Sequence, residues 1–105
     1  MEVKLFESFE EARKQLIEKE PRLVRANGKS ICIVMLGNRL IAFENLCPHM
    51  GAELHTGKVN YLNQVVCPLH TYRFDIHSGE EAENRCSSLR FISIVLNENG
   101  IFLSV

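Results

Sequence analysis

The sequence has no excess charge of either sign and no long apolar run. Its 105 residues include 12 lysines and arginines against 13 aspartates and glutamates, which gives a formal net charge of −1. A chain so close to neutral lacks the basic field that nucleic-acid binding requires. No apolar stretch approaches the roughly 20 residues of a membrane-spanning helix. We therefore expect neither nucleic acid nor a membrane among its partners.

A secretion signal is missing as well. Residues 1–5 do not show a charged segment followed by an apolar one, so we expect a cytoplasmic protein. The composition, 46% hydrophobic and 24% charged, is that of an ordinary globular protein. The length predicts a single domain over residues 1–105, and we expect a monomer. A chain this small buries a limited fraction of its surface, so a bound metal group would contribute to folding.

Two of the four cysteines stand next to histidines. Cys47 and His49 form a Cys-x-His pair, and Cys67 and His70 form a Cys-x-x-His pair, with 17 residues between His49 and Cys67. Each pair supplies one thiolate and one imidazole. Such a set suits either tetrahedral zinc or an iron–sulfur cluster. Without a secretion signal, the pairing of cysteine with histidine favours metal over disulfides.

The two pairs and their flanking residues resemble the cluster-binding loops of the Rieske family. The matching segments are Ile41–Asn45 (IAFEN), Cys47–Gly51 (CPHMG), Cys67–Asp75 (CPLHTYRFD) and Ser78–Glu80 (SGE). The likeness covers roughly residues 22–105. It implies one 2Fe–2S cluster per chain, with Cys47 and Cys67 on the inner iron and His49 and His70 on the outer iron.

The same resemblance implies a mostly β fold: a stack of small antiparallel sheets, sandwich-like or barrel-like, with one N-terminal helix. The cluster-binding loops, about residues 45–54 and 66–75, would lie at one tip. The residues themselves favour this architecture, because short β-prone runs are separated by tight turns. Asn27-Gly28, for example, indicates a type I′ hairpin between two such runs.

One helix is predicted, over residues 7–20. Ser8 is a candidate N-cap, and Glu11 three residues later completes a capping box. Pro21 ends the helix. The predicted apolar face, which would pack on the sheet, consists of Phe9, Ala12, Leu16 and Ile17.

Several positions differ from the high-potential members of the family. Ala52 and Leu69 stand where those proteins have a second cysteine in each loop, so no disulfide joins the loops here. Tyr72 and Phe74 replace a serine and a tyrosine whose hydroxyls donate to sulfur. Fewer donors stabilise the reduced state less, so we expect a reduction potential at the low end of the Rieske range, on the order of −150 mV.

Two further differences concern the second half of the site. Thr71 replaces the glycine that usually follows the second histidine in the family. Residues 81–90 lack the proline-rich loop that often covers the cluster. Within and beside this segment, Glu80, Glu81 and Glu83 are predicted to form a solvated acidic face.

The remaining cysteines and histidines are predicted to lie outside the site. Cys32 stands in a β-branched run and is expected to be a buried core thiol. Cys86 lies in a polar loop and is expected to be a bystander. His55 and His77 fall outside the ligand pairs and are expected at the surface or in turns.

The resemblance implies an electron carrier and not an enzyme. It would be a soluble Rieske ferredoxin that passes single electrons between a reductase and an acceptor such as a ring-hydroxylating oxygenase. Nothing in the sequence resembles the mononuclear-iron domain of an oxygenase. Two alternatives stay open: a small accessory subunit of the nitrite-reductase type, many of which lack the ligands, and a zinc-stapled binding module without redox activity.

Overall fold

The computed structural model describes residues 1–69 and 71–105, and short strands dominate this part of the chain. The helices are α1 (Phe9–Gln15) and a 3-10 turn (Leu54–Thr56). The strands are β1 (Glu2–Phe6), β2 (Arg22–Ala26), β3 (Lys29–Leu36), β4 (Arg39–Glu44), β5 (Lys58–Val59), β6 (Gln64–Val66), β7 (Arg73–Asp75), β8 (Phe91–Asn97) and β9 (Gly100–Ser104).

The strands form two antiparallel sheets. Six of them make a nearly closed, barrel-like sheet in the order β1-β9-β8-β4-β3-β2. The other three make a small sheet in the order β5-β6-β7. Each described strand pairing is antiparallel. The predicted mostly β fold with one N-terminal α-helix is therefore confirmed.

Tight turns join neighbouring strands of the barrel as predicted. Asn27 and Gly28, between β2 and β3, have φ angles of 52° and 76°. Positive φ at both central residues is what a type I′ turn requires. Gly37, in the turn between β3 and β4, has a φ of 60°. These turns fix the register of the strands that lead to the first ligand loop.

Strand β3 separates two hydrophobic cores. Its side chains alternate between the two faces of the sheet. Ile33 and Met35 face the core beneath α1, while Cys32 and Val34 face a second core that includes residues of the small sheet. Cys32 is therefore a buried core thiol, as predicted, and burial raises its pKa to about 12.

The N-terminal helix begins where the sequence predicted. The Ser8 side chain accepts a hydrogen bond from the Glu11 backbone N–H at 3.1 Å, which confirms the N-cap. Acidic residues in the first turn and basic residues in the last turn suit the helix dipole.

The helix is shorter than the predicted range of residues 7–20. It ends because Leu16 adopts an extended conformation and the following chain turns towards β3, where the Lys19 N–H donates to the Met35 carbonyl at 2.8 Å. Ile17 is 65% exposed as a result, so its predicted place on the apolar face is wrong. Neither helix that the structure describes has the length and apolar character needed to cross a bilayer.

Candidate metal centre

The structure brings the two predicted ligand cysteines together in the second core. Cys47 and Cys67 are 2% and 0% exposed, and Cys47 lies close enough to Cys67 to raise its pKa. His49 lies half-buried in the first loop. His70, the fourth predicted ligand, lies outside the described residues. Within the described ranges, no three His, Cys, Asp or Glu side chains converge on one metal position.

Backbone hydrogen bonds close the first ligand loop around Cys47. The Cys47 N–H donates to the Ala52 carbonyl at 2.8 Å, and the Gly51 N–H donates to the Cys47 carbonyl at 2.7 Å. Gly51 has a φ of 71°, a left-handed conformation that glycine adopts without strain. The loop therefore binds both the N–H and the carbonyl of Cys47, which fixes the backbone that carries its side chain.

The buried side chain of Asn45 fastens the base of this loop. Its Oδ1 accepts from the His55 N–H at 2.8 Å, and its Nδ2 lies 2.8 Å from His55 Nδ1. The Asn45 carbonyl also accepts from the Leu54 N–H at 3.0 Å. His55, predicted as a surface or turn residue, therefore lies in the 3-10 turn and helps to close the loop. His77 is exposed, as predicted.

The second ligand loop connects β6 to β7. The Cys67 N–H donates to the Tyr72 carbonyl at 2.8 Å, and the Leu69 N–H donates to the Cys67 sulfur. Thr71 has a φ of 52°, in the left-handed region that favours glycine. This conformation gives a physical reason for the glycine that the family usually has at this position.

The electrostatics of the two thiols suit metal binding. The pKa of Cys67 is raised to about 11, chiefly by burial and also by the neighbouring Cys47, while the Leu69 N–H opposes the shift. Two adjacent thiolates in an apolar core are unfavourable unless a cation compensates their charge. Because cysteine binds metal as the thiolate, a bound cation would supply the compensating charge at this site.

Cys86 lies closer to this thiol pair than its predicted bystander role implies. It packs against the same core and interacts electrostatically with both Cys47 and Cys67. Burial, followed by the neighbouring Cys47, raises the pKa of Cys86. The sequence offers no local pattern for this placement, because it depends on the polar segment after β7 folding back over the loops.

Glu81 is buried, so its predicted place on a solvated acidic face is wrong. Its carboxylate accepts from Arg85 Nε at 3.1 Å and from Arg85 Nη2 at 2.7 Å. It also accepts from the backbone N–H groups of Glu83 at 3.1 Å and Arg85 at 2.9 Å. Chiefly through the hydrogen bond from the Arg85 side chain, the pKa of Glu81 falls to about 2.

We expect Glu81→Gln to destabilise the fold at neutral pH and to lose this effect in acid. A lowered pKa means that the ionised carboxylate stabilises the fold above pH 4.5, its unfolded value, and that this contribution is lost as the pH falls towards 2. The loss of free energy of unfolding at pH 7 should be about 1.5–3 kcal/mol, as for hydrogen bonds to charged groups.

Urea denaturation between pH 7 and pH 3 measures this difference. The gap between wild type and Glu81→Gln should narrow below pH 4.5, because a protonated glutamate resembles glutamine. Glu83→Gln is the matched control, since the Glu83 side chain is 61% exposed, and it should change stability by less than about 0.5 kcal/mol. A gap that stays constant with pH would contradict the role assigned to the ionised carboxylate.

Residues 9–92 of the chain match the model of the Rieske [2Fe-2S] domain. The chain belongs to this family. The 2Fe–2S cluster that the Rieske domain family binds is accordingly its cofactor. The donor set fits that cluster, because the first loop offers a buried thiol and an imidazole and the second loop offers another buried thiol.

Curated relatives of this Rieske chain include two ferredoxin components. One belongs to the naphthalene 1,2-dioxygenase system of Pseudomonas putida and is 32% identical over 82 residues, covering 76% of this chain and 74% of the relative. The other belongs to the naphthalene 1,2-dioxygenase/salicylate 5-hydroxylase systems of Ralstonia sp. and is 35% identical over 57 residues. That alignment spans about half of each protein, 54% of this chain and 54% of the relative.

A solved structure shows that the likeness in fold extends over nearly the whole Rieske chain. The ferredoxin of carbazole 1,9a-dioxygenase from Nocardioides aromaticivorans IC177 superposes with a TM-score of 0.80 at 25% sequence identity. The superposition covers 99% of this chain and 97% of that ferredoxin. The barrel and the small sheet therefore have the arrangement of a Rieske ferredoxin.

Proposed function

We propose that this chain is a single-domain Rieske ferredoxin over residues 1–105. It carries one electron at a time between a reductase and an oxygenase, and it catalyses no reaction itself. The relatives from Pseudomonas putida and Ralstonia sp. are ferredoxin components of dioxygenase systems, which supports a carrier role. The observation that carries the proposal is the pair of buried, neighbouring thiols of Cys47 and Cys67 in a chain of this family.

In this proposal Cys47 and Cys67 hold the inner iron, and His49 and His70 hold the outer iron. The burial of both thiols and their proximity support the first pair. The half-buried position of His49 supports its place nearer to the surface. His70 is assigned from its position in the Cys-x-x-His pair.

A bound 2Fe–2S cluster would accept and release a single electron. The chain's own residues would set the conditions for that exchange. Leu54, Val65 and Phe74 pack in the core that contains the thiols and exclude water from them. The Leu69 N–H donates to the Cys67 sulfur and so stabilises its negative charge. Neutral imidazoles on the outer iron leave less negative charge there than thiolates would.

Exposed apolar side chains next to the candidate ligands support docking of partner proteins at the loops. Leu46, Met50 and Leu69 are 57%, 60% and 49% exposed. Each is adjacent in sequence to one of the proposed ligands. A small apolar surface of this kind suits a transient redox complex, in which partners bind, exchange an electron and separate.

We also propose that the carrier is a monomer with one cluster and that it works in the cytoplasm. All four cysteines lie among the described residues and none is in a disulfide, which suits a reducing compartment. Light scattering of the purified protein tests the first point, and cell fractionation tests the second.

Metal analysis and an absorption spectrum test the proposed function directly. Purified protein should be reddish-brown, contain about two irons and two acid-labile sulfides per chain, and bleach with dithionite. Its midpoint potential at neutral pH should lie at the low end of the Rieske range, on the order of −150 mV. Colourless protein with one zinc per chain would overturn the carrier role in favour of a zinc-stapled module.

A further inference from the structure

Three flat groups from separate segments form a continuous stack beside the site. The His49 and Tyr72 rings are parallel within 12°, and their centroids are 3.9 Å apart. The Arg85 guanidinium lies 3.8 Å from the centroid of the Tyr72 ring. The stack therefore connects the first ligand loop, the second ligand loop and the segment that follows β7.

The Arg85 end of the stack is held in place by Glu81. The buried carboxylate binds both Nε and Nη2 of Arg85, which fixes the orientation of the guanidinium plane. The backbone around Glu81 is itself attached to β7, because the Ala82 N–H donates to the Arg73 carbonyl at 2.8 Å. The guanidinium is therefore not a mobile surface group, although its side chain is 36% exposed.

The tyrosine in the middle of the stack is attached to the other ligand loop. Its carbonyl accepts the hydrogen bond from the Cys67 N–H at 2.8 Å. The position of the Tyr72 ring, and through it that of the His49 imidazole, is thus tied to the loop that carries Cys67. A displacement of either loop would break the parallel contact between the two rings.

We propose that Tyr72 and Arg85 are positioning residues that hold the His49 imidazole in the orientation needed to bind the outer iron. This inference rests on the proposed function. It gives residues 81–86 the role of covering the cluster site, which a proline-rich loop has in many members of the family. Stacking of a planar guanidinium on an aromatic face requires arginine, because a lysine ammonium is a compact point charge. Groups that orient a metal ligand typically change metal affinity by 10–100-fold when removed.

Substitutions that separate stacking from charge test the proposal on the cluster-loaded protein. Tyr72→Leu removes the aromatic plane, and it should release iron to a chelator at least about tenfold faster than wild type. Arg85→Lys keeps the charge and the partner for Glu81 but removes the plane, so release should accelerate in the same direction by a smaller factor. Tyr72→Phe keeps the ring and should match wild type within about twofold, since a retained ring preserves the contact.

Matched controls repeat two of these changes away from the site. Tyr61→Leu is the same substitution at a side chain that is 86% exposed. Arg13→Lys removes a guanidinium that lies 5.2 Å from the Phe9 ring in the helix. Both controls should release iron at the wild-type rate. Thermal unfolding of every variant shows whether faster release follows a loss of fold, and Arg85→Lys remains informative if Tyr72→Leu does not fold.

The electron paramagnetic resonance spectrum of the reduced protein is the second readout. Its g values depend on the orientation of the imidazole ligands, so Tyr72→Leu and Arg85→Lys should shift them while the controls should not. Wild-type release rates and unchanged g values in both variants would overturn the positioning role and leave the proposed function intact. If the purified wild-type protein contained no iron, both proposals would be overturned.

Discussion

Replacing Cys67 with serine should abolish assembly of the 2Fe–2S cluster. The purified Cys67→Ser protein should be colourless, with iron and acid-labile sulfide near zero against about two of each in wild type. Serine cannot supply a thiolate, and Cys67 is fully buried beside Cys47, so another ligand at this position would require the core to move. Iron and sulfide analysis with a visible spectrum measures the effect.

Cys86→Ser is the matched control, because Cys86 packs against the same core and interacts with both candidate ligand thiols. It should bind about two irons per chain, as wild type does. Two results would contradict the ligand assignment. One is a Cys67→Ser protein that keeps two irons, and the other is a Cys86→Ser protein that loses them while Cys67→Ser does not.

Gly57→Ala should destabilise the fold and loosen the second ligand loop. A Cβ at this position would collide with the Val66 carbonyl oxygen and approach Pro68 Cδ to 3.3 Å. Val66 and Pro68 flank Cys67, so relief of the collision would move the backbone that carries the ligand. Overpacking of this kind lowers the free energy of unfolding by about 1–3 kcal/mol. Chemical denaturation measures the loss, and iron content should fall with it.

Gly28→Asn is the control for a glycine substitution that does not create a collision. A Cβ at Gly28 would have no atom within 4 Å, and asparagine tolerates its left-handed φ of 76°. The loss of stability should be about 1 kcal/mol, from backbone strain alone, and the iron content should match wild type. If Gly57→Ala were as stable as Gly28→Asn and kept its iron, the close approach at Gly57 would not constrain the ligand loop.

Features that depend on neighbouring residues could be predicted from the sequence. The Ser8 cap, the Asn27-Gly28 turn and the burial of Cys32 each follow from a few adjacent residues. Ligand identity is local in the same sense, since Cys-x-His and Cys-x-x-His pairs each lie within a single loop. The cap and turn predictions are confirmed because caps and turns impose their geometry over three or four residues, whereas the ligand pairs stay a prediction.

Features that depend on distant partners were missed. Strand β1 pairs with β9, from the opposite end of the chain, and it was missed although its residues alternate between polar and apolar side chains. The helix ends early because the chain beyond Leu16 pairs with β3. Glu81 was predicted as one of several exposed acids, but its segment folds back on β7, where Glu81 pairs with Phe74. For the helix end and for Glu81, a contact made after folding overrides the local preference.

The sequence by itself determined the candidate ligands of this protein: two cysteine–histidine pairs proposed for a 2Fe–2S cluster, on a mostly β chain with no basic field and no long apolar run. The tertiary structure decided how the site is supported. It set the two thiols against each other, tied Asn45 to His55, and stacked Arg85 and Tyr72 on His49. Ligand type is a property of single residues, whereas their burial and orientation depend on segments that meet only when the sheets close.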